Sequence, residues 1–191
     1  DGVPPLDAIE IGHVPGLAYV GEPFGEGELF LPDMMVAARA RQKALDILEP
    51  ELQAQSAQRK VVGRVVIGTV KGDIHDIGKN LVGMMLSTSG FEVHDLGVDV
   101  APDRFVEAAR EHDADIVGVS ALLTTTMAGQ RTVVEALVAA GLRDRVRVIV
   151  GGAPASESWA QEIGADGYSE DAIGAVALAR KLLGDEAAAT A

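Results

Sequence analysis

The first residues able to do chemistry stand in a short, glycine-bounded run, Gly72-Asp73-Ile74-His75-Asp76-Ile77-Gly78. A histidine in such a loop can coordinate a metal through one ring nitrogen. The other nitrogen then needs an acceptor that fixes the tautomer and raises the basicity of the ring, commonly a carboxylate. Asp73 is placed to supply it. Gly78 leaves room for something bulky to approach the backbone where a helix would begin. Two further runs carry hydroxylic and small residues, Ser120-Ala121-Leu122-Leu123-Thr124-Thr125-Thr126 and Gly151-Gly152-Ala153-Pro154. A hydroxyl from the first of these could hold the carboxylate in turn, and the glycine pair opens space on the other side. Each feature alone has a plainer reading. A loop histidine is commonly an ordinary polar residue, and Asp73 or Asp76 could cap the next helix. Gly-Gly is commonly a turn, and Ser120, Thr124, Thr125 and Thr126 could be caps or solvated hydroxyls.

These runs gain meaning from the elements that must position them. Val61 to Val70 is rich in β-branched residues and predicts a strand. A helix over Gly78 to Ser89 follows, with Leu81, Met84, Met85 and Leu86 at helical spacing. The unit repeats as Phe91 to Leu96 then Pro102 to His112, and as Ile116 to Ser120 then Ala128 to Ala140. It repeats again as Val146 to Val150 then Ser156 to Ile163, and ends with a short strand near Gly167 and a helix from Asp171 to Leu183. Short apolar strands alternating with helices predict a parallel sheet covered on both faces. The expected fold is α/β, a flavodoxin-like doubly wound five-stranded parallel sheet, whose ligands sit at the carboxyl ends of its strands. The three runs follow strands one, three and four, neighbours in that topology, so they should converge.

Residues 1–60 differ. Leu31 to Gln58 is one long helical pattern with Met34, Met35, Ala38, Leu45, Ile47 and Leu48 as apolar positions, and Pro50 is able to kink or end it. Leu6 to Val20 reads as another helix, joined through the Gly- and Glu-rich loop Gly21 to Glu28. Two helices alone make a poor domain, so the apolar stripe on each must be buried elsewhere. Leu52 to Lys60 reads as a polar linker and Ala187 to Ala191 as a frayed end. The expected organisation is a partial helical bundle over 1–57, the α/β domain over 58–186 and a tail over 187–191.

Composition narrows the partners. With 16 basic against 29 acidic side chains, the net charge is −13. The clustered cations that nucleic acid or an anionic membrane would require are not expected. Protein partners with basic docking faces stay open. The chain has no cysteine, which excludes disulfides, iron–sulfur clusters and thiolate zinc sites. No apolar run approaches the ~20 residues of a membrane span. No signal-peptide pattern opens the chain, so the cytoplasm is the expected compartment.

Asp73-x-His75-x-x-Gly78, Ser120-x-Leu122 and Gly151-Gly152, in this order and at these spacings, resemble the full cobalamin-binding signature. It is shared by cobalamin-dependent methionine synthase, the corrinoid proteins of one-carbon methyltransferase systems and several mutases. The resemblance implies cobalamin as cofactor, with His75 replacing its dimethylbenzimidazole as the lower ligand to cobalt. The displaced nucleotide tail would enter a slot in the sheet domain lined by Gly78, Ser120, Gly151 and Gly152. Asp76, Ile77, Leu122 and Thr124 belong to the same implied cofactor-binding set. Asp73 matches the carboxylate that hydrogen-bonds the histidine. Thr126 falls where methionine synthase has a serine completing that relay, and threonine keeps the donor.

The segment Val20-Gly21-Glu22-Pro23-Phe24-Gly25-Glu26-Gly27-Glu28-Leu29-Phe30-Leu31-Pro32 resembles the helical cap of methionine synthase and of the methyltransferase corrinoid proteins. There an aromatic and a leucine cover the upper face of the corrin and shield the methyl–cobalt bond. Phe24 and Leu31 match them, and a place in the core of a helix pair is the plainer reading. Mutases lack this cap. The family's cap has four helices and this chain begins near the third, so the first two are lost or omitted, or another chain supplies their packing.

The resemblance thus implies a methyl carrier rather than a catalyst in its own right. A substrate-specific methyltransferase would load the cobalt, a second would pass the methyl to an acceptor such as tetrahydrofolate, and a reductive activator would be a further partner. His75 would leave and return during the cycle while Asp73 and Thr126 adjust its proton. The alternatives are a cobalamin-binding fragment of methionine synthase, which would be flanked by substrate barrels and an activation domain, and a cobalamin-dependent regulator or light sensor. A response-regulator-like module would need an acidic cluster after strand one and a lysine near strand five. The donor stays open among methanol, a methylamine, a betaine, a thiol and an aryl ether.

Overall fold

The computed structural model describes residues 8–25, 28–54 and 61–184. They belong to two units, Asp1–Val61 with Thr88–Gly90, and Val62–Ser87 with Phe91–Ala191. In the first, a π-helical turn (Ala8–His13) leads into α1 (Val14–Gly25), and α2 (Leu31–Ala54) follows. Gly21 to Gly25, expected as loop, is helical and holds Pro23 inside the helix. Proline removes a donor but keeps its acceptor, and the Pro23 carbonyl accepts the N–H groups of Glu28 (2.8 Å) and Leu29 (3.2 Å) beyond the helix end. The Phe30 N–H donates to the carboxylate of Asp33 (3.0 Å), an acidic residue in the first turn of α2 where the helix dipole favours it. α2 continues through Pro50, so residues 52–54 of the expected linker are helical. Met34 is buried, whereas Met35 and Ile47, expected on the apolar stripe, are exposed. Residues 55–60 of that linker, the start of the first expected helix at Leu6 and the expected frayed end at 187–191 lie outside the described residues.

In the second unit the β-branched runs become β1 (Arg64–Thr69), β2 (Glu92–Asp95), β3 (Ile116–Ser120) and β4 (Arg147–Gly151), with β5 reduced to Gly167–Tyr168. All neighbours pair in parallel, in the order β2-β1-β3-β4-β5. Strand side chains alternate between faces. Val66, Val117, Val119, Val148 and Val150 pack on one face with Phe105, Val133, Leu137 and Ala160. Val65, Ile116 and Ile149 pack on the other with Leu86, Phe91 and Ala179. Each of these valine, isoleucine, leucine and phenylalanine side chains contributes about 1.5–3 kcal/mol when fully buried.

The covering helices are α3 (Ile77–Thr88), α4 (Pro102–Glu111), α5 (Ala128–Ala139), α6 (Glu157–Ile163) and α7 (Ala172–Leu182). Proline opens α4 from its first turn, where its missing N–H costs nothing. Ser156 and Asp171, expected as first helical residues, are N-caps: their side chains accept the N–H groups of Trp159 (3.2 Å) and Gly174 (2.7 Å). Among the described residues no helix is long and apolar enough to cross a membrane.

The parallel register aligns the carboxyl ends of three strands. Thr69, Ser120 and Gly151, the last residues of β1, β3 and β4, stand opposite one another on adjacent strands. The loops that leave them therefore start from one rung of the sheet.

Candidate functional site

Asp73 is the centre of the group. Its side chain is 0% exposed, and a buried carboxylate is tolerable only where donors replace water. Oδ1 accepts the His75 backbone N–H (3.1 Å) and faces His75 Nδ1 at 2.7 Å. Oδ2 accepts the N–H groups of Leu122 (2.8 Å) and Leu123 (3.4 Å) and the Thr126 hydroxyl (2.6 Å). Burial would raise this carboxyl. The bonds from Thr126, the His75 ring and the Leu122 and His75 N–H groups outweigh it and hold the group well below the usual carboxylate range. The Thr126 oxygen also lies 3.0 Å from the Leu123 carbonyl, but its single proton is drawn to the charged acceptor.

This fixes the histidine. An ionised carboxylate can only accept, so Nδ1 carries the proton toward Asp73 and the neutral ring keeps a lone pair on Nε2. The ring is 45% exposed, so that lone pair is within reach of a ligand. The Thr69 hydroxyl donates to the His75 carbonyl (2.9 Å), which ties the loop back to the end of β1. On the same two loops, Ile74 and Ile77 are each 75% exposed and Leu122 and Leu123 each 42%. Exposed apolar side chains on loops that also present a nitrogen lone pair mark a surface that a ligand would cover.

The glycines differ in what they require. Gly152 has φ +112°, and a Cβ there would sit 1.9 Å from the Ala121 carbonyl oxygen, so this position takes no other residue without moving the backbone. A Cβ on Gly151 would lie 3.3 Å from the Ser169 carbonyl oxygen. At Gly78 a Cβ would meet nothing within 4 Å; packing does not demand glycine there, and the space beside it is open.

Three of the expected residues thus meet directly, Asp73, His75 and Thr126, with the backbone of Leu122 as a fourth member. Ser120 and Gly151 join them through the sheet register. Among the described residues, Asp76 and Thr124 make no hydrogen bond to the Asp73–His75 pair. The Asp76 carboxylate accepts the Asn80 amide (3.0 Å), and Thr124 is exposed. Phe24 is half-buried in α1, and Leu31 is the first residue of α2.

Sequence reasoning missed a supporting layer. Gln130 is 0% exposed; its amide donates to the carbonyls of Val119 and Gly151 (2.9 Å each), bridging the ends of β3 and β4, and accepts the Trp159 indole N–H (2.9 Å). Lys79, 3% exposed, reaches Asn80 (2.6 Å) and Asp95 (2.5 Å), linking α3 to the end of β2. The polar residue types at apolar helix positions were the available signal. The partners lie on other elements, and no local pattern names them.

Compared with known proteins, residues 63–177 match the family described as B12 binding domain, and residues 1–49 match a second family of the same description. The chain is 53% identical over 181 residues to dimethylamine corrinoid protein 3 of Methanosarcina acetivorans, covering 95% of this chain and 84% of the relative. Its structure is similar to that of the methanol:cobalamin methyltransferase complex of Methanosarcina barkeri, with a TM-score of 0.87 and 29% identity over 94% of this chain and 68% of that one. It is also similar to the monomethylamine corrinoid protein of Methanosarcina barkeri, with a TM-score of 0.62 and 41% identity over 95% of this chain and 85% of that one.

Proposed function

Because the chain belongs to the corrinoid proteins built on a B12-binding domain, we propose that it carries a methyl group between two methyltransferases. Bound cobalamin would supply a cobalt centre able to take up and hand on that group. His75 would be the lower ligand through Nε2, and the observation that carries this is the Nδ1–Asp73 contact, which directs the other lone pair outward. Asp73 and Thr126 would hold the ring's tautomer and orientation and raise its basicity. Ile77, Leu122 and their apolar neighbours would back the corrin, while Gly78, Ser120, Gly151 and Gly152 would leave room for the nucleotide tail. Phe24 and Leu31 would shield the methyl group from above.

The relatives' names favour a methylated amine as donor, delivered by a substrate-specific methyltransferase. The acceptor enzyme, with tetrahydrofolate or another nucleophile, and a reductive activator complete the reading, and we assign it to the cytoplasm. Equilibrium dialysis tests the first step: the protein should retain cobalamin and show the spectrum of a base-off, histidine-ligated corrinoid. A protein that bound no form of cobalamin would defeat the proposal. Among purified methyltransferases, one for methylamines should load the bound cofactor faster than one for methanol, and the reverse order would overturn the donor assignment.

A further inference from the structure

The turn between β2 and α4 lies outside the three runs that the sequence singles out, yet it grips the first of them. The Thr69 N–H donates to the Gly97 carbonyl (3.0 Å), and the Val100 N–H donates to the Thr69 carbonyl (3.0 Å). Val70 and Val100 pair in a single parallel bridge. Beyond that bridge Asp99 makes two bonds to the loop that carries His75. Its backbone N–H donates to the Asp73 carbonyl (2.9 Å), and its Oδ1 accepts the Gly72 N–H (2.7 Å). The backbone is thus held at both ends of the Gly72-Asp73 pair.

Asp99 does this at φ +54°, a conformation unfavourable to residues with a Cβ and best tolerated by glycine, asparagine and aspartate. Asp113 is the other non-glycine with positive φ among the described residues, and its carboxylate pairs with Arg145 and Arg64 at the surface. Asp99 differs in spending both its N–H and its carboxylate on the Asp73 loop. Strain of this kind persists where surrounding contacts enforce it, and it concentrates at functional sites.

We propose that Asp99 is a positioning residue for His75. By fixing the Gly72-Asp73 backbone from 27 residues away, it aims the Asp73 carboxylate so that the His75 ring and the Thr126 hydroxyl meet it at 2.7 and 2.6 Å. Both Asp99 bonds are to backbone groups, and neither is to the ring. The inference rests on the reading of His75 as a ligand, but the alignment it describes exists without cofactor.

Three proteins separate this role from a merely structural one: the wild type, Asp99→Asn and Asp99→Gly. Asparagine keeps the acceptor and tolerates the backbone angle, whereas glycine adopts the angle freely but has no acceptor. In the cofactor-free protein, labelled with nitrogen-15 histidine, the His75 Nδ1–H signal reports its bond to Asp73. Asp99→Asn should keep the slow proton exchange of the wild type. Asp99→Gly should melt no lower than wild type, yet exchange that proton faster and retain cobalamin roughly 10–100-fold less well, the usual range for losing a supporting contact. If Asp99→Gly matched wild type in proton exchange and retention, the proposal would be overturned. It would also fail if Asp99→Asn were as impaired as Asp99→Gly. If the wild type bound no cobalamin, the carrier reading would fall, and the exchange comparison would still decide the role of Asp99.

Discussion

Replacing Thr126 by valine removes one donor from a carboxylate that no solvent reaches. Burial alone would raise the Asp73 carboxyl, and the Thr126 hydroxyl leads the hydrogen bonds that hold it low instead. A hydrogen bond to a charged group contributes about 1.5–3 kcal/mol, and the partial exposure of Thr126 favours the lower end. One pKa unit corresponds to about 1.4 kcal/mol, so the Asp73 carboxyl should rise by about one unit. Its folded value lies below its unfolded one, ~3.9. The stability this network contributes is therefore full above that unfolded value and is lost as pH falls toward the folded value. Thr126→Val should lose about 1.5–2 kcal/mol near neutral pH. The gap from wild type closes only as pH falls through the folded values of the two proteins, both below the usual carboxylate range, so at about pH 4 it should still be nearly full. Urea unfolding of the cofactor-free protein, followed by the fluorescence of Trp159, the chain's one tryptophan, measures both. Thr126→Ser keeps the donor, so a loss in that variant as large as in Thr126→Val would refute the electrostatic reasoning and leave only packing. No loss in Thr126→Val at either pH would show that the carboxylate does not depend on this donor.

Gly152→Ala should destabilise the fold by more than about 1 kcal/mol, since both its φ and its contact with the Ala121 carbonyl exclude a Cβ; thermal unfolding checks this, and an unchanged midpoint would contradict it. Gln130→Leu should cost about 1–3 kcal/mol by removing the acceptor of the Trp159 indole N–H and the amide bridge between the Val119 and Gly151 carbonyls. It should also shift the tryptophan emission, and the reasoning fails if neither changes. Phe24→Ala should speed photolysis of bound methylcobalamin while costing less than the ~3–5 kcal/mol of a fully buried phenylalanine, because this ring is only half-buried. Unchanged photolysis with a large stability loss would return Phe24 to a packing role.

Strand and helix positions in the α/β unit were legible because burial on both faces demands near-continuous β-branched runs, as in Val65 to Ile67 and Val148 to Val150. The order of the sheet put the three runs on neighbouring strands, and the chemistry of a histidine beside an aspartate was readable locally. Boundaries were less so, since Ser156 and Asp171 cap helices from outside while looking like their first residues. Gly21 to Gly25 reads as a loop by composition, yet Pro23 retains a carbonyl that closes the helix end, and the helix continues over it. Asp99 and Gln130 escaped for a different reason. Their partners are distant in sequence, and an aspartate in a turn or a glutamine in a helix looks solvated until the fold brings the other backbone to it.

The central claim is that His75 ligates the metal of a bound cobalamin, and the paramagnetic spectrum of the cobalt(II) form tests it most directly. Wild-type protein should show coupling from a single histidine nitrogen whose pattern changes on nitrogen-15 histidine labelling, and His75→Ala should lose that coupling. Coupling that survived in His75→Ala, or a wild-type spectrum insensitive to the label, would contradict the account.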